Sequence, residues 1–144
     1  MMNDYQAKME IIDNKIEKLQ NTKLSLKTTR FSKKGHIVTD WETDLEWYLH
    51  PDIDTTWNKA NSLTKDLGDN WRMPTLDELH SLYEQGVGLR NIDPIFKMTG
   101  WWVWSDEKNV SSYAKALYFA GGRENLNRRV CSNGYRCFAV RPKS

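Results

Sequence analysis

Two cysteines, three histidines and a late run of arginines are the residues of this 144-residue chain whose types could do chemistry. Cys131 and Cys137 stand in "VCSNGYRCFAVRP" with five residues between them. Two nearby thiolates can grip a soft ion such as Cu(I). The spacing argues against a shared site. Asn133-Gly134 between short strands is a hairpin signal, and a two-residue turn there sets Cys131 opposite Arg136 and Val130 opposite Cys137. Neighbouring strand positions point to opposite faces, so the sulfurs diverge, and the same geometry disfavours a Cys131–Cys137 disulfide. One buried thiol and one incidental thiol is the expectation. His36, His50 and His80 fall far apart in the sequence, in no metal-ligand spacing. No Gly-rich phosphate loop, nucleophile elbow or paired-carboxylate signature occurs. The sequence therefore predicts no catalytic residue, no metal site and no cofactor.

Recognition chemistry is better supplied. "GGRENLNRRVCSNG", residues 121–134, holds little that a core would take apart from Leu126 and Val130. Arg123, Asn125, Asn127, Arg128 and Arg129 project donors and charge. Nothing in their spacing offers a buried face, which predicts an exposed loop-and-sheet face opposite the packed helices. Upstream, "GWWVWSDEKNVSSY" adds Trp102, Trp104 and Asp106, aromatics beside polar groups in the mix that recognition surfaces favour. One side of the Trp102/Trp104 pair is expected in the core. These eight residues are the candidate ligand-binding set.

Charge is polarised along the chain: +4 over residues 1–35, −7 over 36–122 and +5 over 123–144. A basic tail on an acidic body fits a protein or glycan ligand, with an anionic one as an option. Nucleic acid fits poorly, because the acidic body repels a long duplex. No apolar run approaches the roughly 20 residues of a membrane span. "MMNDYQAKMEIIDNK" lacks the apolar core of a signal peptide, which favours a cytoplasmic or phage-particle setting over Sec secretion.

The elements that must position these residues fall into two textures. Met2, Tyr5, Met9, Ile12, Ile16, Leu19, Lys23 and Leu26 alternate three and four apart, the seam of a coiled coil. So narrow a stripe needs a partner, either a second copy or the domain that follows. Ile16 at a and Leu19 at d lean towards a parallel dimer. "TTRFSKKGH" breaks that period, which sets a helical segment over 1–34 and a domain over 35–144.

In the domain, "HIVTD" and "LEWYL" read as strands joined at "WETD". "TTWNKANSLTKDLG" reads as a helix capped by Asp54 or Thr55 and ended by Gly68. "NWRMPTLDELHSLYEQG" carries a capping box, Thr75 with Glu78, behind the stop of Pro74, and the helix runs to Gly86. Trp71 and Arg72 read as scaffolding: a buried indole and a five-donor guanidinium tied to carbonyls or a carboxylate. "WWVWS", "YAKALYFA" and "YRCFAVR" read as strands.

Taken in order, "VTDWETDLEWYL", "TTWNKANSL", "NWRMPTLDELHSLY", "NIDPIF", "WVWSDE", "AKALYFAGG" and "YRCFAVRP" resemble the bacterial Lcl C-terminal domains over residues 37–142. These are C-type-lectin-like domains, found on adhesins, phage receptor-binding tips and the variable proteins of diversity-generating retroelements. The resemblance implies an α+β fold, two helices on a small twisted antiparallel sheet, here preceded by a coiled-coil helix. It also implies that Trp71 and Arg72 pin the second helix to the sheet.

Two departures follow. The calcium-binding triplets of sugar-binding animal lectins are absent, and the first helix, "WNKANSLTKDL", lacks the Cys that many members place there. "VCSNGYRCFAVRP" also resembles, faintly, the region of formylglycine-generating enzymes where two late cysteines hold copper. The expectation is a non-catalytic binding or display module, made a homo-oligomer by residues 1–30. The alternatives are an assembly subunit built on the coiled coil and, further off, a copper-dependent oxidase.

Overall fold

The computed structural model describes residues 3–28, 30–109 and 112–144, with backbone alone over 22–28. It opens on α1 (Asp4–Thr28). Asn3 caps this helix reciprocally with Gln6: the Gln6 amide donates to Asn3 Oδ1 at 2.8 Å and the Asn3 amide to Gln6 Oε1 at 3.2 Å. Along α1, Tyr5, Met9, Ile12, Ile16 and Leu19 are solvent-exposed, as is Ile11 off the seam. Met2, Lys23 and Leu26 of the predicted seam lie outside the described side chains. The chain divides into two compact units, one ending at Phe31 and the other Ser32–Ser144.

The larger unit is α+β. Its elements continue as β1 (Phe31–Lys34, which starts in the first unit), β2 (Ile37–Asp40), β3 (Leu45–Leu49), α2 (Trp57–Leu67) and α3 (Leu76–Leu82). After a 3-10 turn at Pro94–Phe96 come β4 (Trp102–Lys108), β5 (Tyr113–Tyr118), β6 (Arg123–Arg128), β7 (Tyr135–Arg136) and β8 (Phe138–Pro142). One sheet has the order β1-β2-β3-β8 and the other β6-β5-β4-β7. Within them β2–β3, β3–β8, β4–β5 and β5–β6 are antiparallel, and β4–β7 is parallel.

The first sheet buries Trp47 between Phe96 and Phe138, both edge-on at 6.3 Å. Its β2–β3 turn falls at "WETD" as predicted, tied by Asp40, which accepts from the Glu42 amide at 3.0 Å and the Thr43 hydroxyl at 2.8 Å. β1 was not foreseen, because "FSKK" offers no apolar alternation and stays mostly exposed.

Both helices in this unit exist, with corrected ends. Thr56, not Asp54 or Thr55, caps α2, accepting from Lys59 N at 3.2 Å. The other two are engaged elsewhere: the Thr55 hydroxyl donates to Ile53 O at 2.8 Å, and Asp54 accepts from Gly134 N at 3.0 Å. The capping box of α3 is as predicted, but the helix stops at Leu82 rather than near Gly86. Asn91 captures the chain there, its carbonyl accepting from Glu84 N at 2.7 Å and its side chain from Gly86 N at 2.9 Å.

Trp71 and Arg72 hold α3 to the first sheet. The Arg72 backbone exchanges two hydrogen bonds with Val140 of β8, at 3.0 and 2.8 Å. Its guanidinium donates to both Glu78 oxygens at 2.7 Å, while Glu78 Oε1 also accepts from Thr75 N at 2.8 Å. Burial alone would raise the Glu78 carboxyl, but Arg72 and the Thr75 amide hold it below its ordinary value. Trp71 is half-buried, edge-on to Tyr48 at 5.7 Å, with Arg141 over its face at 4.1 Å.

Candidate binding face

The β6-β5-β4-β7 sheet carries a different helix on each face. In antiparallel pairs the residues directly opposite point the same way. Trp102, Trp104, Ala114, Ala116 and Tyr118 therefore share one face. α2 covers part of that face, where Trp57 and Ala60 pack with Trp104, Ala114, Ala116, Tyr135 and Cys137. Val103 and Leu117 point to the opposite face, and α3 packs across β4 and β5. The α2-side face has a covered end around Trp104 and an open end around Trp102 and Tyr118.

The open end is built on stacked rings. Tyr118 lies on Trp102 at 4.8 Å, Trp102 on Tyr135 at 5.1 Å, and Tyr135 on Trp104 at 4.4 Å, all within 23° of parallel. Such stacks add about 0.5–1.5 kcal/mol per pair beyond their buried area. Asn125, with its amide oriented to satisfy its neighbours, accepts from Trp102 Nε1 at 3.0 Å and donates to Glu124 O at 3.0 Å. Trp102 is thus gripped on both faces and at its nitrogen.

Gly134 completes the seat. Its carbonyl accepts from the Trp101 and Trp102 amides at 2.8 and 3.1 Å. Its φ is +81°, and a Cβ there would stand 3.0 Å from the Trp102 ring, so glycine is required twice over. The predicted Asn133-Gly134 hairpin does not form. β7 emerges from this turn to run parallel to β4, and the turn serves ring packing instead.

Behind Gly134 lies a clasp that sequence reasoning missed. Arg136, buried, donates to Asp52 Oδ1 at 2.5 Å, to Asp54 Oδ1 at 2.9 Å and to Thr99 Oγ1 at 3.1 Å. Asp52 also accepts from the Thr99 hydroxyl at 2.7 Å. Burial alone would raise the Asp52 carboxyl, but Thr99 and Arg136 outweigh it and hold it below its ordinary value. Asp54 is lowered by the Gly134 amide and then by Arg136. The lone Arg in "YRCF", with two Asp in "HPDID", was the available signal.

The eight sequence-derived residues do not form one patch. Residues 123–128 of the expected loop-and-sheet face are a strand, which shares one of its faces with α2 rather than lying opposite both helices, and its alternation sorts them. Asn125 and Asn127 lie opposite Ala116 and Ala114, and Arg123 opposite Tyr118, so these three share the Trp102 face. Arg123 sits 6.0 Å from the Tyr118 ring centroid. Glu124 and Arg128 point the other way in the strand alternation, and Glu124 reaches His80 of α3 at 3.1 Å.

Arg129 follows the strand and lies over the Trp57 ring at 5.2 Å, with Lys108 on the same ring at 5.4 Å. Trp104 is fully buried and its indole donates to Thr55 O at 2.8 Å, so it belongs to the core. Asp106 lies away from the face, in a cleft of about 400 Å³ with Arg72 and Lys108. Burial and Glu107 raise its carboxyl. The residues brought together are Trp102, Arg123 and Asn125, with Tyr118 and Tyr135 added by the structure, while Asn127 shares the face but lies beside Ala114 at the covered end.

The family model of the Lcl C-terminal domain matches residues 36–141. The chain belongs to that family. No curated protein matches it. In this Lcl C-terminal domain the thiols are set apart by environment. Cys137 is buried against Thr64 at 3.8 Å, and burial pushes its thiol up to about 12. Cys131 is half-buried, and both cysteines are free.

Two of the histidines are closer than their sequence spacing suggests, since His36 and His50 flank Tyr48 at 5.8 and 5.1 Å, while His80 meets Glu124. Among the described residues no three His, Cys, Asp or Glu side chains gather as a metal set. Among the described residues no helix is long and apolar enough to cross a membrane.

Proposed function

We propose that this Lcl C-terminal domain is a non-catalytic, C-type-lectin-like ligand-binding or display module of the adhesin and receptor-binding kind. Its binding face is the open end of the β6-β5-β4-β7 sheet, and α1 multimerises it. The observation that carries the reading is the locked ring stack bordered by Arg123 and Asn125. A rigid seat with polar groups at its rim costs little ordering on binding. Catalysis by the cysteines is opposed by the burial of Cys137 against Thr64 and Ala60, which pushes its thiol up to about 12 and disfavours the thiolate.

The face also discriminates among ligands. Both ring faces of Trp102 are taken, by Tyr118 and Tyr135, so a neutral pyranose cannot stack there without displacing one. What remains are the ring edges and the Arg123 guanidinium. These suit an acidic protein surface or a sulfated glycan. Retention of the full chain on immobilised heparin, against Arg123→Ala, tests the anionic class. Loss of retention without loss of melting temperature supports it, and equal retention of both proteins refutes it.

The assembly-subunit reading draws on the exposed apolar residues of α1. Under it, disrupting the helix seam with Ile12→Asp/Ile16→Asp abolishes function while Arg123→Ala leaves it intact.

A further inference from the structure

We infer that α1 pairs with α1 of a second copy of this chain, parallel and in register, as a two-stranded coil. The inference rests on the multimerisation proposed above and adds its partner, its orientation and its number. The seam is Met9 and Ile16 at a with Tyr5, Ile12 and Leu19 at d, and these side chains are between 39% and 71% exposed. Five apolar side chains in one row at 3.5-residue spacing ask for a matching row. Ile16 at a beside Leu19 at d favours two strands, and Ile12 at d is the one seam residue that leans towards three.

Charge at the flanks selects the orientation. The g positions of α1 are Lys8 and Lys15, and the e positions beside the seam are Gln6, Asp13 and Gln20. In a parallel, in-register pair each g residue meets the e residue of the next heptad on the other helix. Lys8 then meets Asp13 of the second copy, twice by symmetry, and Lys15 meets the neutral Gln20. An antiparallel pair instead sets g row against g row, which places Lys8 and Lys15 against lysines. These five flanking residues are exposed on α1 and able to reach across.

A parallel coil sends both domains off from the same end. Two weak faces then engage one repetitive ligand together, which raises avidity without new contacts.

Sedimentation equilibrium of the full chain, with circular dichroism to confirm unchanged helix content, tests this. The wild-type chain should give the dimer mass. Lys8→Glu places a second carboxylate against Asp13 and should raise the dissociation constant about tenfold. Asp13→Lys should weaken the dimer likewise, and Lys8→Glu/Asp13→Lys should recover most of the loss. If Lys8→Glu tightens association, or the double variant fails to recover, the parallel orientation is wrong while self-association stands. A monomer at every concentration, or a trimer mass, overturns the pair itself. Loss of heparin retention in Arg123→Ala at an unchanged dimer mass reports on the sheet face separately, since that variant leaves the seam of α1 untouched.

Discussion

Arg72 and Arg136 are answered from within the protein, and Arg123 is not. Arg72 forks onto Glu78 at 2.7 Å, and Arg136 spans Asp52, Asp54 and Thr99. Among the described residues neither Arg123 nor Arg128 pairs with a carboxylate, since Glu124 turns to His80 and Glu107 to Lys115. The first two arginines hold loops and a helix in place. Arg123 stands over a ring stack and offers its donors outward. Residue type says little about role here, and what the guanidinium touches decides it.

The largest expected effect comes from breaking the internally answered side. Arg136→Ala leaves two carboxylates and the Thr99 hydroxyl without their shared donor. Removing one partner of a buried pair costs about 3–5 kcal/mol, and the half-exposed Asp54 moderates that towards about 2–4. Urea denaturation should show a midpoint far below the parent. A midpoint near the parent would mean that the clasp is ornamental.

Acid should loosen the same side in two stages. Burial lowers the His50 imidazole below 6.5. The unfolded chain therefore takes up that proton first, so stability is full above about 6.5 and falls as pH drops towards the folded value. Asp52 and Glu78 are held below their ordinary carboxylate values. Their contribution is present above the carboxylate range and is lost as pH falls through the folded values. Asp106, raised, works in the opposite sense. Melting temperature against pH should step down once from about pH 6.5 and again below about pH 4. His50→Gln should remove the first step and keep the second.

Thr75→Ala is smaller, about 1 kcal/mol for one lost cap. It should leave heparin retention unchanged, because the capping box sits behind the opposite face. Unchanged melting with lost retention would make the motif part of the binding site.

What could be read from the sequence was local. Thr75 and Glu78 announce the start of α3 because both partners lie within one turn, and "WETD" announces its hairpin for the same reason. β6 was illegible, because "RENLNR" has no apolar alternation and its partner positions Ala114 and Ala116 carry small side chains. The fate of Trp104 against Trp102 was also hidden. Both point to one face, and only the placement of α2 decides which is covered. Asn133-Gly134 misled because its glycine answers a tertiary demand, closeness to Trp102, rather than the local demand of a two-residue turn. Arg129 read as surface and instead caps the Trp57 ring, so removing it with Arg123 would confuse stability with binding.

Arg123→Ala should have the smallest effect on folding, within about 0.5 kcal/mol as for an ordinary surface site. It should have the largest effect on recognition. The most direct measurement is therefore a paired one: melting temperature and salt-dependent heparin retention of Arg123→Ala beside the parent chain. The account predicts an unchanged melting temperature, with a retention that the parent shows and the variant lacks, weakening in the parent as salt rises. A fall in melting temperature, or equal retention of both proteins, would contradict a ligand-binding face at the open end of this sheet.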